Sequence, residues 1–235
     1  MDDALLAWFG GNGRDLPWRR THDPYAILVS EVMLQQTQVE RVVSRYEEWL
    51  ARWPTVEALA AAPAADVIRA WQGLGYNRRA LNLHRAATIV AERGWPDDPT
   101  ELPGVGRYTA DAIRAFALGE PVLPEDTNVL RVQERTAHRF GPACGQALMD
   151  LGATVCLARV PRCGVCPLAE GCPSRGRRYE PLRKQSRFEG SFRQRRALAL
   201  RAVAAGEQPD DAEAVAALAR DGLVELRAGV AALPQ

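Results

Sequence analysis

At 235 residues the chain can bury one large core or two modest ones that share a cleft. It holds no run of about 18 uninterrupted apolar residues, and its opening MDDALLAWFGG is acidic where a signal peptide is basic. Composition therefore excludes a membrane-spanning helix and predicts a soluble, cytoplasmic protein with no membrane partner. A net charge of +1 excludes a uniformly basic nucleic-acid binder, but from Arg175 to Arg201 ten basic residues face two glutamates, so this segment carries +8 and the remainder −7. Codon bias accounts for arginine over lysine, Lys184 being the only lysine, but not for the clustering.

In chain order, Asp23 and Pro24 read as an N-cap and first-turn pair that opens a helix through AILVSEVMLQ. Thr37 with Glu40 reads as a capping box opening VERVVSRYEEWLARW. Further helices are expected near 56–61, 65–72, 78–93, 107–118, 127–139 and 143–157, broken by Pro, Gly and Asn. No stretch before about residue 175 alternates as a strand, so the body is all-α. A basic, turn-rich linker then leads to helices around 191–204 and 210–220, and GLVELRAGVAALP alternates like a short hairpin. Helix, helix and hairpin together predict a small winged-helix-like C-terminal appendage.

Four features carry chemistry. LPGVGRYTADAI places Gly104 and Gly106 around Val105 just before an amphipathic helix, where tight backbone approach and first-turn amides suit a DNA phosphate, although PGVG is also a common turn. Glu31 lies inside an apolar helix on one face with Ile27, Leu28, Leu34 and Gln35. A carboxyl buried there costs free energy unless paired or protonated, so it is either functional or a hydrogen-bonded structural group. Asp126 in PEDTNVLRV stands where a helix begins and reads first as an N-cap. Cys156, Cys163, Cys166 and Cys172 form a thiolate set able to hold zinc or a [4Fe-4S] cluster, while Cys144 falls outside it and reads as a small buried hydrophobe.

Taken together, LPWR at 16–19, DPYAILVSEVMLQQTQV at 23–39, GLGYNRRA at 73–80, LPGVGRYTA at 102–110, DTNVLRV at 126–132, MDLGATVC at 149–156 and the cysteine loop resemble the iron-sulfur helix-hairpin-helix DNA glycosylases. The resemblance is nearest to the adenine-specific type. It implies a two-lobed fold, with 1–22 and 127–178 as the cluster lobe, 23–126 as the helical lobe bearing the hairpin, and 179–235 as a basic extension. It also implies a [4Fe-4S] cluster on Cys156, Cys163, Cys166 and Cys172. Glu31 would be the general acid and later the base for water, Asp126 the stabiliser of an oxocarbenium-like sugar, and Asn128 the residue orienting Asp126.

By the same resemblance Gln36 and Tyr76 would wedge into the base stack, and Arg19 and Tyr108 would line the base pocket. Leu34, Thr37, Gly104, Val105 and Gly106 would complete the DNA contacts. The partner would be double-stranded DNA carrying a mispaired or damaged base, bound by a monomer associated with the nucleoid.

Two departures bear on the substrate. Only 16 residues separate DTNVLRV from MDLGATVC, and the chain ends soon after the basic segment, where longer members carry a domain that recognises 8-oxoguanine. The expected reaction is removal of adenine opposite 8-oxoguanine or guanine by a short form. Thymine or uracil opposite guanine is the alternative substrate. A non-catalytic DNA-binding protein with a structural cluster is a third reading, against which Glu31 and Asp126 argue.

Overall fold

The computed structural model describes residues 1–180 and 187–235. Among the described residues the elements are α1 (Asp2–Asn12), α2 (Pro24–Leu34), α3 (Val39–Arg52), α4 (Val56–Ala60), α5 (Ala64–Trp71), α6 (Arg78–Arg93), α7 (Arg107–Phe116), α8 (Thr127–Thr136), α9 (Gly145–Thr154), α10 (Phe192–Ala204), α11 (Ala212–Arg220) and the hairpin β1 (Glu225–Arg227) and β2 (Val230–Ala232). None of these helices is long and apolar enough to cross a membrane.

Short polar side chains start several helices by accepting first-turn amides. Asp23 Oδ1 accepts from the Tyr25 amide at 3.0 Å, and Thr55, Ser191 and Asp211 serve α4, α10 and α11 in the same way. The capping box expected at Thr37 does not form: α3 begins at Val39 after Gln38, with no side-chain cap. The Thr37 hydroxyl turns instead to the Leu74 carbonyl at 3.3 Å and accepts from Arg79 at 3.1 Å. The helices expected at 127–139 and 143–157 are also shorter. α8 stops at Thr136 because Ala137 turns left-handed (φ 51°), and a 3-10 turn, Pro142–Cys144, precedes α9.

Contacts divide the described chain into two compact units, the first holding residues 1–27 and 106–180 and the second 28–105 and 187–235. The first closes around Leu5, Val129, Val132, Leu148, Leu151 and Leu168. Asp150, with no exposed surface, anchors its N-terminal segment. The Asp150 carboxylate accepts from the Arg14 amide and side chain at 2.8 Å each and from both Nη atoms of Arg19 at 2.8–2.9 Å. Burial pushes this carboxyl up, but the hydrogen bonds and charges of Arg19 and Arg14 outweigh it and hold Asp150 below the ordinary carboxylate value.

In the second unit Trp49 stacks edge-on against Trp53 and Trp71 at 4.6 and 5.4 Å between centroids. The C-terminal segment forms the expected helix, helix and hairpin but does not stand apart as an extension. Leu200, Val203, Leu218 and Leu223 share one core with Ile68 of α5 and Leu81 of α6. The tail is grouped with the second unit because its apolar faces close on α5 and α6. The hairpin pairs Leu226 with Ala231, and its two-residue turn, Ala228 and Gly229, is left-handed at both positions (φ 50° and 82°), as the twist of paired strands favours.

Part of the basic segment's charge is used inside this unit. Arg195 pairs with Asp211 at 2.6 Å and Glu213 at 2.8 Å, and Arg196 pairs with Asp221. Arg177, Arg178 and Arg187 are exposed.

Candidate active site and cysteine loop

Helix α2 carries no amphipathic stripe because residues 25–33 are buried on all its faces. Glu31, 6% exposed, sits within it one turn from Ile27 and Leu28, both essentially sealed from water. Leu34, on the same face, is half-buried.

The turns that follow α2 and precede α6 are strained in the same way. Gln36 (φ 57°) and Tyr76 (φ 46°) both occupy the left-handed region, where a residue other than glycine costs about 1–3 kcal/mol. Neither is buried: Gln36 is exposed and Tyr76 is 46% exposed.

At the hairpin, Gly104 is required twice over. Its φ of +80° suits glycine, and an added Cβ would lie 2.9 Å from Asn82 Cβ. Gly106 is the N-cap of α7 and has open space where a side chain would be. Val105 is buried, so any ligand at this turn meets backbone at the exposed Gly104 and Gly106. The start of α7 beside them offers the positive end of a helix dipole.

Asp126 caps α8, as its position foretold, and its carboxylate is held by more than a cap. Oδ1 accepts from the amides of Asn128 and Val129 at 2.8 and 2.7 Å, and Oδ2 accepts from Asn128 Nδ2 at 2.7 Å. Asn128 is held in turn: Arg131 donates to Asn128 Oδ1 at 2.6 Å, to the Gly152 carbonyl at 2.7 Å and to the Cys156 carbonyl at 2.9 Å. Three donors thus fix the orientation of the Asp126 carboxylate, and the arginine behind them reaches the first cysteine of the loop.

Cys156, Cys163, Cys166 and Cys172 line one cavity together with Val132, Leu151 and Leu168. Burial pushes the Cys166 thiol up, and the other three cysteines act on it electrostatically in the same direction. Among the described residues no three Cys, His, Asp or Glu side chains converge as the ligands of a single ion would. Arg135 donates to Cys156 Sγ at 3.5 Å and to the Leu157 and Ala158 carbonyls at 2.7 and 2.6 Å, with its guanidinium 3.8 Å from the Tyr179 ring centroid. The Gly176 amide donates to Cys163 Sγ at 3.3 Å. Cys144 is buried elsewhere in the core, where desolvation and then the charge of Asp2 push its thiol up to about 11.

The structure places Arg19 on Asp150, where both ends of its guanidinium are engaged. Tyr108 lies half-buried in the first turn of α7. Sequence reasoning missed Arg131, Arg135 and Asp150. Arg131 stands one helical turn from Asn128, a spacing legible in the sequence, but its partners at Gly152 and Cys156 lie more than twenty residues away.

A profile described as HhH-GPD superfamily base excision DNA repair protein matches residues 29–139. Among curated proteins, an adenine DNA glycosylase of Mycobacterium tuberculosis is 43% identical over 243 residues, covering 88% of this chain and 80% of the relative. The human protein of the same name is 37% identical over 228 residues, covering 80% of this chain and 42% of its own length. Among solved structures, a thermostable thymine-DNA glycosylase aligns over 73% of this chain and 93% of its own with a TM-score of 0.66 and 27% identity. Endonuclease III in a non-covalent DNA complex aligns over 73% and 92% with a TM-score of 0.64; at 22% identity it shows the shared fold.

Proposed function

Because the chain belongs to the HhH-GPD superfamily of base excision DNA repair proteins, we propose that it is a monofunctional DNA N-glycosylase that hydrolyses the glycosidic bond of adenine mispaired with 8-oxoguanine or guanine. The observation that carries this reading is the Asp126 carboxylate, oriented by two backbone amides and Asn128 at the start of α8. An oxocarbenium-like sugar cation is stabilised by a fixed carboxylate that needs no reorganisation as charge develops. The choice of adenine follows the names of the relatives that are 34–43% identical.

In this mechanism double-stranded DNA binds with its backbone at Gly104, Val105 and Gly106 and with Leu34 among its contacts, and the target nucleotide leaves the stack to meet Tyr108. Gln36 and Tyr76 fill the gap left behind, with Thr37 linking their two turns through the Leu74 carbonyl. Glu31 delivers a proton to the adenine ring, weakening the bond to the sugar, and then takes a proton from the water that attacks C1′. Asp126 offsets the positive charge between those steps. Arg19, read from the resemblance as a base-pocket residue, has its guanidinium held by Asp150.

Cys156, Cys163, Cys166 and Cys172 would hold a [4Fe-4S] cluster. Four thiols spread around one cavity, with N–H donors from Arg135 and Gly176 aimed at two sulfurs, suit a cluster better than a single ion. When bound, the cluster supplies cross-links that tie residues 156–172 into one loop. A brown purified protein with equal amounts of iron and acid-labile sulfide is expected, and a colourless folded protein carrying zinc would remove the cluster from this account.

The activity is tested with duplexes bearing each defined mispair, read as single-turnover excision, with Glu31→Gln as the control. Adenine release opposite 8-oxoguanine and guanine is expected, with a loss of about 100-fold or more in Glu31→Gln at nearly unchanged DNA affinity. Release of thymine or uracil in preference to adenine would assign the other substrate class.

A further inference from the structure

Arg79 stands in the first turn of α6 and is 8% exposed, and its guanidinium faces five oxygens rather than a carboxylate. Nη1 donates to the carbonyls of Val32 and Met33 at 2.6 and 3.0 Å. Nη2 donates to Thr37 Oγ1 at 3.1 Å and to the carbonyls of Leu74 and Gly75 at 3.2 and 3.0 Å. The rings of Trp71 and Tyr76 lie 5.2 and 5.7 Å from its central carbon. Burial lowers Arg79 to about 10, which leaves it charged at neutral pH.

These acceptors belong to three separate pieces of backbone. Val32 and Met33 lie in the last turn of α2, where carbonyls lack intrahelical partners, and the same helix carries Glu31. Thr37 is adjacent to Gln36, and Leu74 and Gly75 immediately precede Tyr76. One planar fork therefore grips the end of the Glu31 helix and both turns whose exposed residues are held left-handed. A left-handed backbone at a residue other than glycine persists only where the surrounding bonds over-determine it.

We propose that Arg79 is the positioning residue for DNA insertion: its guanidinium presets Gln36 and Tyr76 together and in register with the end of the Glu31 helix. The proposal rests on the reading of Gln36 and Tyr76 as side chains that enter the base stack. Lysine cannot substitute, because a point charge with three rotating donors does not reproduce a fork that spans five acceptors.

The test uses the full chain with its cysteine loop intact, bearing Arg79→Lys or Thr37→Val, each also combined with Glu31→Gln to halt excision. The probe is a duplex with 2-aminopurine beside an adenine–8-oxoguanine mispair, whose fluorescence rises when the stack is opened, and a fully paired duplex of equal length. Arg79→Lys is expected to keep its circular dichroism and to bind the paired duplex within about threefold of the unsubstituted chain. Its fluorescence rise is expected to fall about tenfold and its excision rate about 100-fold, as a misplaced group of this kind allows. Thr37→Val, which removes one of the five acceptors, should fall between the two, and it carries the test if Arg79→Lys does not fold.

An undiminished fluorescence rise in the substituted chain would overturn the proposal. So would a proportional loss of paired-duplex affinity, the mark of a merely structural role. No rise with Glu31→Gln alone would overturn the insertion reading and the proposal with it. Hydrogen exchange without DNA tells that failure from a failure of the clamp: residues 34–38 and 73–77 of Arg79→Lys should exchange about tenfold faster together while α3 is unchanged.

Discussion

Gly152 shows how a single absent side chain sets the geometry around Asp126. Glycine inside a helix is worse than alanine by about 0.5–1 kcal/mol, yet a Cβ on Gly152 would lie 2.5 Å from Asn128 Cβ. Its absence lets α8 and α9 approach until Arg131 can bridge Asn128 and the Gly152 carbonyl. Gly152→Ala is expected to lose about 1–3 kcal/mol of stability, and the folded fraction should excise more slowly because Asn128 must move off Asp126. Urea unfolding and single-turnover rates check both, and an unchanged rate in the folded variant would detach Asn128 from the chemistry.

At Asp150 the sign of the pH dependence follows from the lowered carboxyl. The unfolded chain binds this proton more readily than the folded one, so the stability from the Arg14 and Arg19 pairing is complete above the unfolded value of about 3.9 and is lost as pH falls through the folded value. Asp150→Asn should cost about 3 kcal/mol near pH 7, and its unfolding free energy should fall less steeply than that of the unsubstituted chain below about pH 4. Parallel acid profiles for the two chains would show that other carboxylates set the acid limit.

Among the elements, α10 separates charge that holds the fold from charge open to a partner. Arg195 and Arg196 face Asp211, Glu213 and Asp221 across the tail's own helices, whereas Arg177, Arg178 and Arg187 face outward. Replacing those three exposed arginines by Gln should flatten the plot of log affinity against log salt by roughly 0.9 for each phosphate contact removed. Arg195→Gln should leave that slope unchanged. Truncation would be a poorer test, since residues of α10 and α11 share a core with Ile68 and Leu81 and their removal would open the second unit. An identical slope in the triple variant would assign the basic segment to something other than DNA phosphates.

For the molecule as a whole, the supply of amines decides where the reaction stops. A glycosylase that also cuts the strand attacks the sugar C1′ with a neutral amine and passes through a Schiff base, most often from lysine. Tyr108 stands just after the hairpin and has no amine, and the only lysine, Lys184, lies in the basic tail outside the described residues. The product is therefore expected to be an abasic site on an uncut strand. Borohydride added during turnover should trap no protein–DNA adduct, while alkali cleaves the accumulated product. Efficient trapping that survives Lys184→Ala would reveal another nucleophilic amine and move the chain to the strand-cutting class.

What the sequence by itself determined is what neighbouring residues decide. The span of α6, the caps at Asp23 and Asp126, the hairpin glycines and the set of four cysteines all depend on periodicity or on contacts within a turn of helix. Only the tertiary structure decided where long side chains ended. Thr37 gave up a local cap for Arg79, forty-two residues away, and Arg19 was drawn to Asp150 across 131 residues. The tail, which reads as an independent appendage, became part of a core through Ile68 and Leu81. Gln36 and Tyr76 carry no glycine signal for a left-handed backbone, because their conformation is imposed by a guanidinium gathering carbonyls from separate segments, and such a convergence exists only once the chain has folded.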